Sequence, residues 1–295
     1  MDLDLFSSSS NEPLFDKEDK TLTKKEVVAQ KSKRKKAEMD RKEQNKEEIL
    51  KSCTEYFKGD TLAADVWINK YALRDGDKVY ELNPDEMHRR LAREFARIEH
   101  KYKNPLSEDD IYELLKDFKY IIPQGSPMAG IGNNFQVVSL SNCFVIGNPA
   151  NSDSYGGILK IDQEQVQLMK RRGGVGHDLS HIRPKMSPVK NSALTSTGIV
   201  PFMERYSNTT KEVAQGGRRG ALMLSISIKH PDAEDFIDAK MELNKITGAN
   251  VSVKIDDEFM RCVVSGKPYK QQFPINSDNP SVIKEIDARE LWKKI

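Results

Sequence analysis

Apolar positions are sparse and unpatterned along the first fifty residues, and become periodic only further on. Residues 1–22, with Ser7–Ser10 in a row, have the composition of a disordered segment. Thr23–Tyr56 is rich in Lys, Glu, Gln and Ala, which predicts a solvated helix without a core stripe until Ile49, Leu50, Tyr56 and Phe57. Residues 60–120 read as helical. Asn83-Pro84 is a cap with proline at the first helical position. Met87, Leu91, Phe95, Ile98 and Tyr102 then recur at helical spacing and predict one buried face. Ser107 opens a second helix that buries Ile111, Leu114, Leu115 and Phe118.

The pattern changes at Ile121. Pro123–Pro127 is turn-rich, and Phe135–Ile146 has strand composition. A helix is predicted over Asp162–Arg171, followed by a Gly/Arg loop, Arg172–Gly176, and a further loop, Pro184–Thr197. A helix over Ile199–Ala214 leads to a second Gly/Arg loop, Gln215–Gly220, and a strand over Ala221–Ile228. Pro231–Lys240 reads as helix. Ala249–Ile255 alternates Val251, Val253 and Ile255 as a half-buried strand, and Asp256 caps a helix ending near Gly266. Asp287 with Glu290 forms a capping box, so a helix starts at Ala288. It runs out at Ile295 with Trp292 short of a partner, which leads us to expect a fragment that is marginally folded beyond Gly266 on its own. Strands alternating with helices predict an α/β architecture. The expected divisions are a charged tail at 1–58, a helical domain at 59–120 and the α/β region at 121–295.

Composition sharpens this picture locally. The chain is 37% hydrophobic and 31% charged, and the N-terminal fifth carries much of that skew. The formal net charge of +2 identifies no partner. The run Lys31–Lys36 invites a nucleic-acid reading, but interspersed glutamates and absent aromatics favour a solvated face. Three cysteines, widely spaced and without a C-x-x-C, argue against a disulfide framework or zinc site and fit a reducing compartment. No signal peptide and no membrane-length apolar run is visible, so a cytoplasmic protein is expected.

Chemistry concentrates in three segments. On the predicted strand, Ser139, Ser141 and Cys143 share one face. This small, polar, thiol-bearing face suits a site, although a buried free cysteine is common. Cys53 and Cys262 read as packing residues. Gly/Arg loops such as Arg172–Gly176 and Gln215–Gly220 let backbone N–H groups and guanidinium forks meet an anion, although glycines after a helix also serve as C-caps. Neither His177 nor His181 has metal-ligand spacing or a catalytic partner. Both read as structural, and no metal site is expected.

Three segments, S-N-C-F-V-I at Ser141–Ile146, R-R-G-G-V-G-H-D-L-S-H-I-R-P at Arg171–Pro184 and T-S-T-G-I-V-P-F-M-E-R-Y at Thr195–Tyr206, closely resemble the large subunit of ribonucleotide reductase. The resemblance is strongest to the adenosylcobalamin-dependent branch and covers roughly Ala64–Ile295. It implies a helical N-terminal domain followed by about the first half of a ten-stranded α/β barrel. It implies reduction of ribonucleotides, expected as diphosphates, by a thiyl-radical mechanism with a redox dithiol, one thiol of which is Cys143. Substrate contacts fall on Ser126, Asn142, Arg172, Gly173 and Gly174.

The allosteric effector, a deoxynucleoside triphosphate or ATP, falls on Asp153, Ser154, Arg183, Lys190 and Arg219. Lys185–Thr197 resembles the first specificity loop and Gln215–Ala221 the second. Without the resemblance, Asp153 is equally a helix cap and Arg183 a solvated surface residue. Implied partners are a thioredoxin-like reductant, a second copy in a homodimer, and a C-terminal half or second chain. The radical-cysteine finger loop, the partner thiol and most of the cobalamin site are expected beyond Ile295, so the chain alone is expected to be inactive. Two alternatives stay open: a non-catalytic nucleotide-binding half, and the large subunit of a metal-radical reductase.

Overall fold

The computed structural model describes residues 43–147, 152–213 and 220–295. The basic run at Lys31–Lys36, Arg219 and nearly all of the second Gly/Arg loop lie outside the described residues. From Gln44 onward the chain forms one unit.

Its first part is helical. Helix α1 (Lys46–Tyr56) is capped by Asn45, and α2 (Thr61–Lys70) by Asp60. A two-residue pair, β1 (Arg74–Asp75) with β2 (Lys78–Val79), turns through Gly76 at φ 56°, within the stretch read as wholly helical. Helix α3 (Pro84–Glu99) starts as expected: the Asn83 side chain accepts the Asp85 and Glu86 N–H groups. Helix α4 (Glu108–Leu115) opens on a complete capping box, with Ser107 and Asp110 each accepting the other's N–H.

The buried face of α3 differs from the expected one. Met87 and Leu91 are buried, but Phe95, Ile98 and Tyr102 are exposed. Ala92 and Ala96 take the inner positions, because small side chains let the neighbouring helix approach closely. Ile49 and Cys53 of α1 join this core, as do Met128 and Ile131, which lie past the division expected after residue 120. Cys53 is fully buried, and burial pushes its thiol up to about 11.

Pro123–Pro127 is not simply a loop. Helix α5 (Gly125–Gly130) begins inside it, since proline is tolerated in a first helical turn. Its end is held by a buried ion pair. Arg90 and Glu81 lie 2.7 Å apart with side chains only 4% exposed. Arg90 also donates to the Met128 and Ile131 carbonyls, and Glu81 accepts the Leu73 N–H. One guanidinium therefore caps α5 and anchors it to α3.

The second part is a parallel sheet of four strands in sequence order: β3 (Cys143–Val145), β4 (Gly174–Asp178), β5 (Leu222–Ser227) and β6 (Asn250–Lys254). Helices α6 (Tyr155–Met169), α7 (Val200–Glu212) and α8 (Ala233–Met241) join successive strands. Val175, Leu222, Leu224 and Ile226 bury one face against Ile158, Met203, Tyr206 and Phe236. Each such side chain contributes ~1.5–3 kcal/mol by leaving water.

Most of the expected strand Phe135–Ile146 is irregular. Asn133 accepts the Phe135 and Gln136 N–H groups, and Ser139 Oγ bonds the backbone of Ser141, so local side chains replace ladder bonds.

The chain closes with α9 (Asp257–Ser265), a hairpin of β7 (Pro268–Phe273) with β8 (Val282–Asp287), and α10 (Ala288–Lys294). Asp256 caps α9 and Gly266 ends it at φ 70°, both as expected. Tyr269, Ala288 and Leu291 are buried in the sheet's core. The Trp292 ring is 6.5 Å from that of Phe259, so it does meet a partner, and these last elements are packed.

Replacing Arg90 with Met should cost about 3–5 kcal/mol, because it strands the buried Glu81 carboxylate. Denaturant titration checks this, and a second change, Glu81→Gln in the Arg90→Met background, should recover part of the loss.

Candidate functional site

Cys143 opens β3 and is exposed. Registered partners in a sheet share a face. Cys143 pairs with Gly174, and Val145 with Gly176, which pairs in turn with Met223. Ala221, two residues before Met223, is exposed on that same face. The thiol thus stands beside a bed of glycine and alanine on the face opposite the helices, with room for a ligand to come close.

Gly174 has little choice of side chain: a Cβ there would lie 3.1 Å from the Asn142 carbonyl and 3.3 Å from the Ala221 Cβ. The first Gly/Arg segment is therefore partly strand. Its glycines read as loop because strand propensity is carried by the large side chains that this close approach forbids.

Five residues read as substrate contacts gather around Cys143. The Ser126 N–H donates to Asn142 Oδ1 at 2.8 Å, and the Ser126 hydroxyl to the Arg172 carbonyl at 3.4 Å. Asn142 Nδ2 donates to Gln124 Oε1. Gly174 N–H donates to the Asn142 carbonyl at 2.6 Å. Arg172, at φ 70°, sends Nη2 to the Lys70 carbonyl at the end of α2, 2.7 Å away. Gly173 packs under the Phe144 ring. Ser126 is fully buried, so what it presents here is a positioned backbone and a hydroxyl turned toward Arg172. Gln124, which orients the Asn142 amide, was not singled out from sequence; its place beside Gly125-Ser126 was the available signal.

The residues expected to meet an effector form a second group, past the far end of β4. Asp153 and Arg183 are bonded to each other: the carboxylate accepts the Arg183 N–H at 2.9 Å, Nε at 3.0 Å and Nη2 at 2.9 Å. Arg183 Nη1 donates to the Pro188 carbonyl at 3.0 Å. Ser154 caps α6 by accepting the Gly157 N–H. Lys190 is exposed on the 185–197 loop. Arg219 lies outside the described residues.

His177 faces the covered side of the sheet. It meets Gln165 Oε1 at 3.2 Å and the Tyr206 ring edge-on. Burial pushes its imidazole down to about 4, which suits the structural role expected of it. His181 stands 4.0 Å from Asp178. Among the described residues no metal-ligand cluster of His, Cys, Asp and Glu is formed, and no helix is long and apolar enough to cross a membrane.

A family model described as the ribonucleotide reductase barrel domain matches residues 141–295, over half of the chain, and one for the all-alpha domain of the same enzyme matches residues 57–133. The chain belongs to the ribonucleotide reductase family. Its similarity to a vitamin B12-dependent ribonucleoside-diphosphate reductase of Mycobacterium tuberculosis is 28% identity, covering 79% of this chain and 33% of the relative. A similarly named reductase of Thermoplasma acidophilum is 34% identical over 53% of this chain and 20% of its own length. The ribonucleoside-diphosphate reductase subunit alpha of Helicobacter pylori is 25% identical over 77% of this chain and 31% of its own. The chain thus spans about a third or less of the length of these relatives. The family assignment agrees with the helical domain and the parallel sheet, and the two matched domains meet at the Ser126–Asn142–Arg172 network.

The buried His177 generates a pH dependence. The folded imidazole ionises near 4 and the unfolded one near 6.5. Stability is therefore full above the unfolded value and falls as pH drops from 6.5 toward 4, by roughly 3 kcal/mol from this group. A His177→Gln variant, which keeps a donor toward Gln165, should show a correspondingly flatter stability profile across that window by denaturant titration.

Proposed function

We propose that this chain supplies the reducing-thiol strand and the effector-binding segment of a ribonucleoside-diphosphate reductase. The observation that carries the reading is the exposed Cys143 on its glycine–alanine bed, beside the Ser126–Asn142–Arg172 network. A thiol that reduces a sugar carbon must reach the substrate without side chains in the way, and then form a disulfide with a second thiol. Neither other cysteine suits that role: Cys53 is buried in the helical core, and Cys262 lies on α9, with its thiol directed at the Pro268 carbonyl. The second thiol is therefore assigned to a part of the enzyme outside these residues, with a thioredoxin-like protein as final reductant and a cytoplasmic homodimer as the working assembly.

Two relatives bear names that make them vitamin B12-dependent, and adenosylcobalamin is the radical source in this reading. When bound, it would provide homolysis of a cobalt–carbon bond. Its site is assigned mostly to parts of the enzyme outside this chain, and the face where Cys143 pairs with Gly174, and Val145 with Gly176, is assigned to substrate. The second reading is the large subunit of a metal-radical reductase, and the Helicobacter pylori relative, which matches 77% of this chain, is named as a subunit alpha.

Asp153, Ser154, Arg183 and Lys190 are assigned to a nucleoside triphosphate effector. Arg183 is already paired, so a phosphate must share or take over the guanidinium that now holds Asp153 and the Pro188 carbonyl. Binding would then act directly on the 185–197 loop.

In the competent enzyme, Cys143→Ser should abolish multiple turnover while leaving the denaturation midpoint close to wild type, since the residue is exposed and nearly isosteric. Wild-type turnover in the variant would falsify the thiol assignment. Arg183→Ala should weaken dTTP or ATP binding by roughly tenfold to a hundredfold, as loss of a charge-assisted phosphate contact does. Equal affinities by calorimetry would show that the phosphates bind elsewhere.

A further inference from the structure

The segment 185–197 leaves the body of the protein and returns to it at Ile199, and both of its stems meet one side chain. The Asp232 carboxylate accepts the Lys185 N–H with both oxygens, at 3.2 and 3.0 Å, and the Ile199 N–H with Oδ2 at 3.3 Å. Asp232 is 6% exposed. It occupies the position just before α8, where an aspartate ordinarily caps its own helix, yet its side chain makes no capping bond. The helix forgoes that bond and the loop receives the carboxylate.

Two neighbours hold Asp232 in this orientation. His230, fully buried, accepts the Asp232 N–H at Nδ1 (3.0 Å) and donates from Nε2 to the Ile182 carbonyl (2.8 Å). The ring is thus a neutral strut between the Asp232 backbone and the residue immediately before Arg183. Gly198, at φ 80°, lies against the carboxylate from the other side. A Cβ there would be 2.6 Å from Asp232 Oδ2 and 2.9 Å from the Lys185 Cβ. H-P-D at 230–232 and the glycine at 198 are therefore parts of one device.

We propose that Asp232 is the positioning residue of the 185–197 loop: its buried carboxylate ties the outer ends of the two stems, below the backbone bonds that already join Met186 and Ser187 to Ser196, and so fixes the placement of Arg183 and Pro188 beside Asp153. The link from loop placement to nucleotide binding rests on the effector reading above, whereas the clamp itself does not.

Hydrogen exchange on the wild-type chain is the first test. The Lys185 and Ile199 amides flank an exposed loop, yet should exchange slowly and at matching rates. In Asp232→Asn an amide group faces an N–H donor in place of an oxygen. Both stem amides should then lose protection at least about tenfold, with faster proteolysis between residues 185 and 197 and unchanged protection at Leu224 and Ile226. Gly198→Ala should reproduce that pattern by pushing the carboxylate aside. The double variant should add little to either single change. Stem amides exchanging as fast as that of Asn191 in the wild type overturn the proposal even if a variant fails to fold. So does Asp232→Asn with protection intact, or with protection lost equally through β5. Calorimetry with dTTP separates the two readings. A loosened loop with about tenfold weaker dTTP binding supports both. A loosened loop with unchanged or absent dTTP binding supports the clamp and removes the effector assignment.

Discussion

Close backbone approach at Gly173 and Gly174 governs the arrangement of the α/β part. A methyl group at 173 would sit 2.9 Å from the Phe144 ring and 3.1 Å from the Leu168 carbonyl. One at 174 would press on Asn142 and Ala221. Only bare backbone lets the end of α6, the start of β4 and the strand bearing Cys143 converge. The convergence turns Arg172 toward α2, brings Asn142 to Ser126 and leaves the thiol on open ground. Glycine here serves two ends at once: it permits the packing and clears the face on which a ligand would lie.

The two groups of polar residues are joined by rigid elements. Asp153 and Ser154 lie at the N-terminal end of α6, and Arg171–Gly174 follow its C-terminal end. A helix of this length spans roughly 22 Å, and β4 makes the return journey beneath it. Gln165, in the C-terminal half of α6, bonds His177 on β4 and both the Tyr206 carbonyl and Thr210 Oγ on α7. Helix and strand are therefore pinned together between the Asp153–Arg183 pair and the thiol group. A shift of either end has a packed, hydrogen-bonded body to act through rather than a flexible tether.

What could be read from the sequence was whatever is encoded locally. Caps at Asn83, Ser107, Asp256 and Asp287 need only a side chain and N–H groups a few residues on, and all four are present. The alternation at Val251 and Val253 likewise survives as a half-buried strand. Long-range decisions were hidden. The inner face of α3 is set by alanines that carry little hydrophobic signal, and β4 is built of residues that look like a loop. Ser139 and Asn133 divert a stretch with strand composition by bonding their own backbone. For the site, Cys143 and its neighbours were identified through family resemblance. The mutual bond of Asp153 and Arg183 joins positions 30 residues apart, and Asp232 serves partners up to 47 residues away, which no local pattern records.

Arg172 gives the site a further character. Its side chain ends on the last carbonyl of α2, while its own carbonyl takes the Ser126 hydroxyl. The polar floor beside Cys143 is thus a seam, stitched from residues on both sides of the boundary between the all-alpha and barrel portions. Modularity stops there. Exchanging one portion for a homologous one would break stitches in the middle of the candidate site rather than at a neutral linker. The two portions are consequently bound to diverge together, each acting as part of the other's environment.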